Sequence, residues 1–268
     1  MGTPVVTALH RYPVKSFTPE RRDQLTVAAD GRIQGDRVLA FRVADSEPPE
    51  HEVWRRKYNY CVLMNTPGAA RMQLSYDDAA HRLKIAVDGL EIADGDIDSP
   101  EDRASIGNAV TDYVLTLEDN PLTGHPERAP LNLVGDGRNG RFHDSPDGRV
   151  TLYSQESLQA LGNALGDPEL NGLRFRANVV ISGVARPFEE FQWVGKRIAI
   201  GDTEFEVERP VVRCLATHAN PVTGARDRQV MDTLVEHFGH EKPQFAVMLR
   251  AISGQGEIVT GSSVQTYE

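Results

Sequence analysis

The chain has 268 residues, 40% hydrophobic and 25% charged, with 39 acidic against 29 basic side chains and a net charge of −10. This length suits one large domain or two modest ones, and the acidic balance excludes a general nucleic-acid binder, which needs a basic face. Two cysteines, Cys61 and Cys214, are too few for a disulfide framework, a cysteine-rich zinc site or an iron–sulfur cluster.

A reducing cytoplasm is therefore the expected compartment, and any electrons must come from a separate protein. No stretch approaches the roughly 20 apolar residues of a membrane span. The start, Met-Gly-Thr-Pro-Val-Val-Thr, lacks the basic and apolar segments of a signal peptide. Gly2 reads as part of a structural N-terminus rather than a myristoylation site.

In chain order, residues 3–12 read as a strand ending at Pro13. Residues 24–28 and 38–43 read as further strands, parted by turns at Asp30-Gly31 and Gly35-Asp36. Residues 45–50 form a polar, proline-containing loop. Residues 60–64 are apolar and strand-like, and residues 72–76 and 83–87 look like a strand pair around Asp77-Asp78. Ser99 caps a helix running to Leu115, with Pro100 in its first turn and Ile106, Ala109, Val110, Tyr113 and Val114 at helical spacing. Residues 118–149, rich in Gly, Pro, Asp and Asn, read as a partly mobile connection.

Residues 150–153 read as a strand, and Ser154-Gln-Glu-Ser157 caps a helix with the stripe Leu158, Leu161 and Leu165. Strands are expected at 179–181, 197–200 and 205–207. A helix is expected at 229–238 with Met231, Leu234, Val235 and Phe238 on one face, then strands at 245–252 and 257–259. The fold class is mostly β with a few helices (α+β). Many short strands with frequent turns suggest barrels or sandwiches.

Several residues could carry chemistry. Cys214 sits in Arg209-Pro-Val-Val-Arg213-Cys214-Leu-Ala-Thr217-His-Ala-Asn220-Pro221-Val-Thr223-Gly224, a thiol beside a guanidinium. A nearby positive charge favours the thiolate, which is the nucleophile and the soft-metal ligand; the plainer alternative is a packed thiol. Cys61, in an apolar run, reads as core. Lys15-Ser16 after Pro13 offers an ammonium and a hydroxyl to a phosphate, or is an exposed turn. Arg37 in Gly35-Asp36-Arg37 could instead be a surface ion pair. Arg174 and Arg176 flank Phe175 on an expected strand, so both would face one way, as an anion fork or a solvated edge. Asn178 can both donate and accept. Asp144-Ser145 could be a capped turn. His218 is a proton donor near the site, the base of a cysteine hydrolase, or a surface residue.

Taken in order, Tyr12-Pro13-Val14-Lys15-Ser16, Gly35-Asp36-Arg37, Arg174-Phe-Arg176-Ala-Asn178, Pro187-Phe-Glu-Glu190-Phe-Gln-Trp193, Ile200-Gly201-Asp202 and the Cys214 run resemble the MOSC domain family (named after the C-terminal domain of molybdenum cofactor sulfurase) and the β-barrel domain that precedes it. The layout resembles that of the mitochondrial amidoxime-reducing component. The resemblance implies a MOSC β-barrel at residues 150–268, packed on a smaller N-terminal barrel at 1–98 and joined by a helix and connection at 99–149.

It implies a molybdenum cofactor (molybdopterin) held by Lys15, Ser16, Arg37, Asp144, Ser145, Arg176, Asn178 and Arg213, with Cys214 as metal ligand and catalytic residue. It also implies two-electron reduction of small N-hydroxylated substrates, fed by an external donor such as a flavin reductase, heme or iron–sulfur protein. The alternatives are a non-redox cofactor carrier and a sulfur-transfer protein using Cys214 as a persulfide, with pyridoxal phosphate only on a partner. The chain departs from the family in Ala177, where proline is usual, and in Asn220, where aspartate is usual.

Overall fold

The run Met72–Asp77 alternates buried and exposed side chains, the two-residue period of a half-buried strand. The same rule governs much of this computed structural model, which describes residues 2–46 and 54–267. The strands are β1 (Val5–Arg11), β2 (Glu20–Arg22), β3 (Gln24–Val27), β4 (Ala40–Arg42), β5 (Met72–Asp77), β6 (Arg82–Val87), β7 (Leu90–Asp96), β8 (Asn132–Val134), β9 (Val150–Ser154), β10 (Val179–Ser182), β11 (Arg197–Ile200), β12 (Thr203–Val212), β13 (Gln244–Ala251), β14 (Gly256–Val259) and β15 (Val264–Tyr267). Three α-helices are described: α1 (Pro100–Leu115), α2 (Gln155–Ala164) and α3 (Val230–Glu236). The fold is mostly β.

Eight strands form one sheet in the order β15-β11-β12-β13-β9-β10-β1-β2. Its edge strands do not pair with each other, so the ladder is open. The sheet nevertheless curls. Val6 N–H donates to the Ser262 carbonyl at 2.9 Å and Val264 N–H to the Pro4 carbonyl at 2.7 Å, bringing β1 against the approach to β15. β3 pairs with β14, β4 with β8, and β5, β6 and β7 form a meander. The two cores do not follow chain order. β1 and β2, from the first 98 residues, belong to the large sheet, whereas α1 and β8 pack with the meander and β4 around Phe41, Leu83, Ile85 and Ile106.

Most expected elements are present, and the differences have local causes. Ser99 caps α1 by accepting from Asp102 N–H, and Ser154 caps α2 by accepting from Ser157 N–H. The apolar run at 60–64 makes a single bridge, Tyr60 to Arg42, because Asn65 folds back on Val62 N–H and turns the chain. In α3 the buried residues are Val230 and Leu234, while Val235 is exposed, so the apolar face is rotated from the expected one. β12 runs ten residues, much longer than the expected 205–207. Of the polar loop at 45–50, residues 47–50 lie outside the described residues.

A third core, beside the large sheet, supports the functional side chains. There Phe175 and Phe245 stack with ring centroids 3.8 Å apart, and Tyr153 closes the cluster.

Candidate functional site

Two turns meet where β1 ends. Tyr12 N–H donates to the Asp36 carboxylate at 2.7 Å, Arg37 N–H donates to the Tyr12 carbonyl at 2.7 Å, and Val38 N–H to the Pro13 carbonyl at 2.9 Å. This stitching presents Lys15 and Ser16 beside Arg37. Ser16 and Arg37 have φ of 70° and 53°, a left-handed conformation unusual for residues with a Cβ. Arg176, at the end of a 3-10 turn over Gly172–Phe175, has φ of 50°. Such strain persists where surrounding contacts over-determine it, and it concentrates at functional sites.

The contacts doing so here centre on Tyr12. Its buried ring lies 4.7 Å from the Arg37 guanidinium and 4.3 Å from that of Arg176. Its hydroxyl donates to the Ala177 carbonyl at 3.1 Å, and burial pushes the phenol up to about 12. Arg37 donates to the Arg176 carbonyl at 3.0 Å, and Arg176 donates to the Phe17 carbonyl at 2.7 Å.

Lys15, Ser16, Arg37, Asp144, Ser145, Arg176, Arg213 and Cys214 all line one cleft of about 500 Å³. The structure thus brings eight of the nine expected site residues together. Asn178 is the exception. It is buried behind the wall, where its amide donates to the His10 carbonyl at 3.2 Å and the Asp36 carboxylate at 3.3 Å. It reaches the cleft through Asp36, which holds Arg37, and through Thr151, a lining residue whose N–H and hydroxyl both donate to the Asn178 amide oxygen at 3.3 Å.

The cleft is strongly basic for so acidic a chain. Lys15, Arg37, Lys57, Arg149, Arg174, Arg176, Arg209, Arg213 and Lys242 line it, and Asp144 is the one carboxylate among the described lining residues. The buried Lys15 ammonium donates to the Phe142 carbonyl at 2.8 Å and to Asp144 at 2.5 Å. Burial pulls its pKa down, with Asp144 opposing. For Asp36, burial opposes ionisation, but the Arg37 charge and the His143 hydrogen bond outweigh it and hold the carboxyl well below its usual range.

Arg213 follows the last residue of β12. Its Nε donates to the Phe245 carbonyl at 2.9 Å and its Nη1 to the Phe175 carbonyl at 3.2 Å, with the guanidinium 5.5 Å from the Phe175 ring. Among the described residues its Nη2 has no acceptor, and neither has Nη2 of Arg176. Burial lowers both guanidinium groups to about 10, so both stay cationic near neutral pH. Two buried, oriented donors without acceptors fit an anionic ligand.

Arg174 does not form a fork with Arg176, as a strand would have required. In the 3-10 turn it lines the same cleft but is bound to other partners, donating to Asp227 at 2.6 Å and to the His218 carbonyl at 3.1 Å. It clamps the loop that follows Cys214. His218 is neither a proton donor at the thiol nor a surface residue. It is buried, and its Nε2 accepts from Met231 N–H at 3.2 Å, in the first turn of α3. Asn220 accepts from Val222 N–H at 2.9 Å and donates to Asp227 at 2.9 Å, a bond a carboxylate could not make. Cys61 is buried core, its thiol raised to about 11 by burial.

Sequence reasoning missed Asp36, Tyr12 and His143 as positioning groups, although all three lie in or beside the quoted runs. It also missed Lys57, Arg149, Arg209 and Lys242. Arg209 carried a signal, since it lies in the same run as Cys214. Among the described residues no three His, Cys, Asp or Glu side chains gather as a metal cage, so Cys214 offers a single ligand. No helix among them is long and apolar enough to cross a membrane.

Residues 139–265 match the MOSC domain family. This stretch is a MOSC domain. The MOSC domain contributes the Asp144, Arg176, Arg213 and Cys214 walls of the cleft, and Lys15, Ser16 and Arg37 come from outside it. The chain is 28% identical over 141 residues to a molybdenum cofactor sulfurase of Caenorhabditis briggsae, covering 51% of this chain and 19% of that one. It is 31% identical over 101 residues to a molybdenum cofactor sulfurase of Anopheles gambiae, covering 34% and 13%. The chain thus spans less than a fifth of the length of these relatives. Among solved structures it is similar to the YUAD protein from Bacillus subtilis, at 12% identity and a TM-score of 0.45 over 100% of this chain and 98% of that one.

Proposed function

We propose that the cleft binds a molybdopterin-type molybdenum cofactor, and that the protein reduces small N-hydroxylated compounds with electrons from a separate flavin, heme or iron–sulfur protein. The observation that carries this is the pair of acceptor-free guanidinium nitrogens, on Arg176 and Arg213, in the same cleft as Cys214 and adjoining a MOSC wall.

In this reading Arg176 and Arg213 hold the ligand's anionic group, each through a charge-assisted bond worth about 1.5–3 kcal/mol. Their other nitrogens are already tied to the Phe17, Phe175 and Phe245 carbonyls, so little rotamer freedom is left to lose. Lys15 and Ser16 flank the same site, and Lys15 can exchange Asp144 for a ligand oxygen. Cys214 offers a soft thiolate as the single protein ligand to the metal. When bound, the cofactor supplies the two-electron redox change that accompanies removal of an oxygen atom. Arg174, Asn220 and Asp227 keep the thiol's loop in place. The two free thiols suit a reducing compartment, and the cytoplasm is the location we propose.

The names of the matched relatives favour a second reading, in which Cys214 carries a persulfide and pyridoxal phosphate resides on a partner. One set of measurements separates the two. Protein from a molybdenum-sufficient host is analysed for molybdenum and released pterin, then assayed for benzamidoxime reduction by a reduced dye. The reductase reading expects both to be present, turnover with dye and none with NADH alone. Cys214→Ser should keep pterin and lose turnover, and Arg176→Gln should deplete pterin. Bound molybdenum without turnover under any donor would favour a carrier. A protein free of both metal and pterin would refute cofactor binding.

A further inference from the structure

Four of the nine basic side chains lining the cleft are matched by carboxylates: Lys15 by Asp144, Arg37 by Asp36, Arg149 by Glu208 and Arg174 by Asp227. Among the described residues the other five make no ion pair. Arg176 and Arg213 lie deep and are accounted for by the inner anion. Lys57, Arg209 and Lys242 remain, and they lie where the cleft opens: Arg209 and Lys242 are exposed and Lys57 is half-buried. The fold sets two of them on neighbouring strands of the cleft wall. Arg209 stands on β12 opposite Met248, another lining residue. Lys242 lies just before β13, next to Pro243, whose carbonyl accepts from Arg213 N–H at 2.7 Å, and so is close in the chain to the residue that precedes Cys214.

We propose that Lys57, Arg209 and Lys242 form a second, outer anion subsite that selects small substrates carrying a carboxylate or phosphate. The identity of the reaction rests on the reductase reading above; the subsite rests on charge. A chain of net charge −10 repels anions at long range. Unpaired cations along a concave wall focus the field and can raise anion capture by roughly 10–10³-fold. Met64, Val212 and Met248 line the same cleft. They offer apolar contact for the body of a ligand whose charged group the outer cations hold. The substrate class is thus an aryl or alkyl N-hydroxylated compound with an anionic tail.

The test needs no cofactor. Cys61 is fully buried, so alkylation of the full chain reports on Cys214. Its rates are measured with iodoacetate and iodoacetamide, which are alike in size and differ in charge; in both, the thiolate displaces iodide. In the variant carrying Lys57→Gln, Arg209→Gln and Lys242→Gln, the anion-to-neutral rate ratio should fall roughly tenfold. In the unaltered chain the ratio should fall with added salt, whereas Lys242→Arg should keep it. An unchanged ratio in the triple variant would overturn the subsite.

A second arm compares dye-driven reduction of 4-carboxybenzamidoxime with that of benzamidoxime, and the preference for the charged substrate should be lost in the triple variant. If the unaltered protein turns over neither, the reductase reading fails while the alkylation ratio still decides the subsite. If the triple variant slows reduction by a protein donor yet keeps the ratio, the rim is a partner surface and the proposal is wrong.

Discussion

Replacing Asp36 by asparagine tests whether one buried carboxylate holds the site together. Asp36 is 1% exposed. It accepts from Tyr12 N–H at 2.7 Å, from the Arg37 guanidinium and from the Asn178 amide at 3.3 Å, and His143 Nε2 lies 3.4 Å away. Asparagine fits the space but removes the charge and turns an NH₂ toward groups that are themselves donors. Arg37 is then left without its carboxylate. Breaking a buried pair by removing one partner costs about 3–5 kcal/mol. At roughly 2–4 °C per kcal/mol for chains near this size, Tm should fall by roughly 10 °C.

Thermal unfolding followed by circular dichroism at pH 7 measures the loss. A cycle with Arg37→Gln supplies the control, because the double variant leaves no orphaned charge and should be more stable than Asp36→Asn alone. The pH dependence has a definite sign. The folded pKa lies below the unfolded value, so the contribution is full above about pH 4 and is lost only as pH falls through the depressed value. The deficit of the variant should therefore be constant between pH 5 and 8. An Asp36→Asn protein within about 1 kcal/mol of the parent would refute the view that the carboxylate organises the turns.

Asn220→Asp should set a second carboxylate against Asp227 and lose the 2.9 Å amide bond, costing about 1–2 kcal/mol. Limited proteolysis within residues 215–228 should quicken at pH 7 and slow again as the introduced carboxyl protonates; unchanged cleavage would count against the clamp. Gly224 has φ of +74°, and an added Cβ would lie 2.5 Å from the Pro67 carbonyl oxygen, so Gly224→Ala should lower stability to urea by more than about 1–2 kcal/mol. A smaller loss would mean that the loop after Cys214 is free to move off Pro67. Glu190 accepts from both hydroxyls of Ser154 and Ser157 and from Ser154 N–H, yet burial raises its pKa. A raised folded pKa gives stability that is full at low pH and lost as pH climbs through it, so Glu190→Gln should gain Tm relative to the parent at pH 8 compared with pH 5; parallel Tm curves would contradict this.

The parts of the fold set by local chemistry were legible in the sequence. Ser99-Pro100 announced α1, Ser154 announced α2, and alternation marked β5 and β6. The site was partly legible. Lys15, Arg37, Arg213 and Cys214 stand in recognisable runs, but the turn at Arg174-Phe-Arg176 read as a strand because two arginines flank an aromatic residue. Left-handed backbone is usually signalled by glycine or asparagine. Here Ser16, Arg37 and Arg176 adopt it without that signal. What permits it at the two arginines is tertiary: both guanidinium groups lie against the Tyr12 ring and are tied to carbonyls of Arg176 and Phe17, and three of these four contacts join residues more than a hundred apart in the chain.

The same geometry explains why Asn178, which the resemblance puts at the cofactor, lies behind the cleft. Once Arg176 turns left-handed, Val179 enters β10 and Asn178 faces the buried junction, where it meets Asp36 from the N-terminal turn and Thr151 on β9. Asp36 in turn fixes Tyr12 and Arg37. Asp36 is therefore one of the links between the chain before residue 139 and the MOSC domain, beside the β1–β10 ladder and the Arg37–Arg176 bond, and a change at Asn178 should reach the cleft through Arg37. Asn178→Leu keeps the number of side-chain heavy atoms but removes the donor, leaving Asp36 with one partner fewer, a loss of roughly 1–3 kcal/mol. If Arg37 is held as described, this variant should weaken phosphate binding to the cofactor-free chain as Arg37→Gln does, and the two changes combined should cost less than their sum. Strict additivity in titration calorimetry would show that Asn178 and Arg37 act separately and that the junction does not transmit to the cleft.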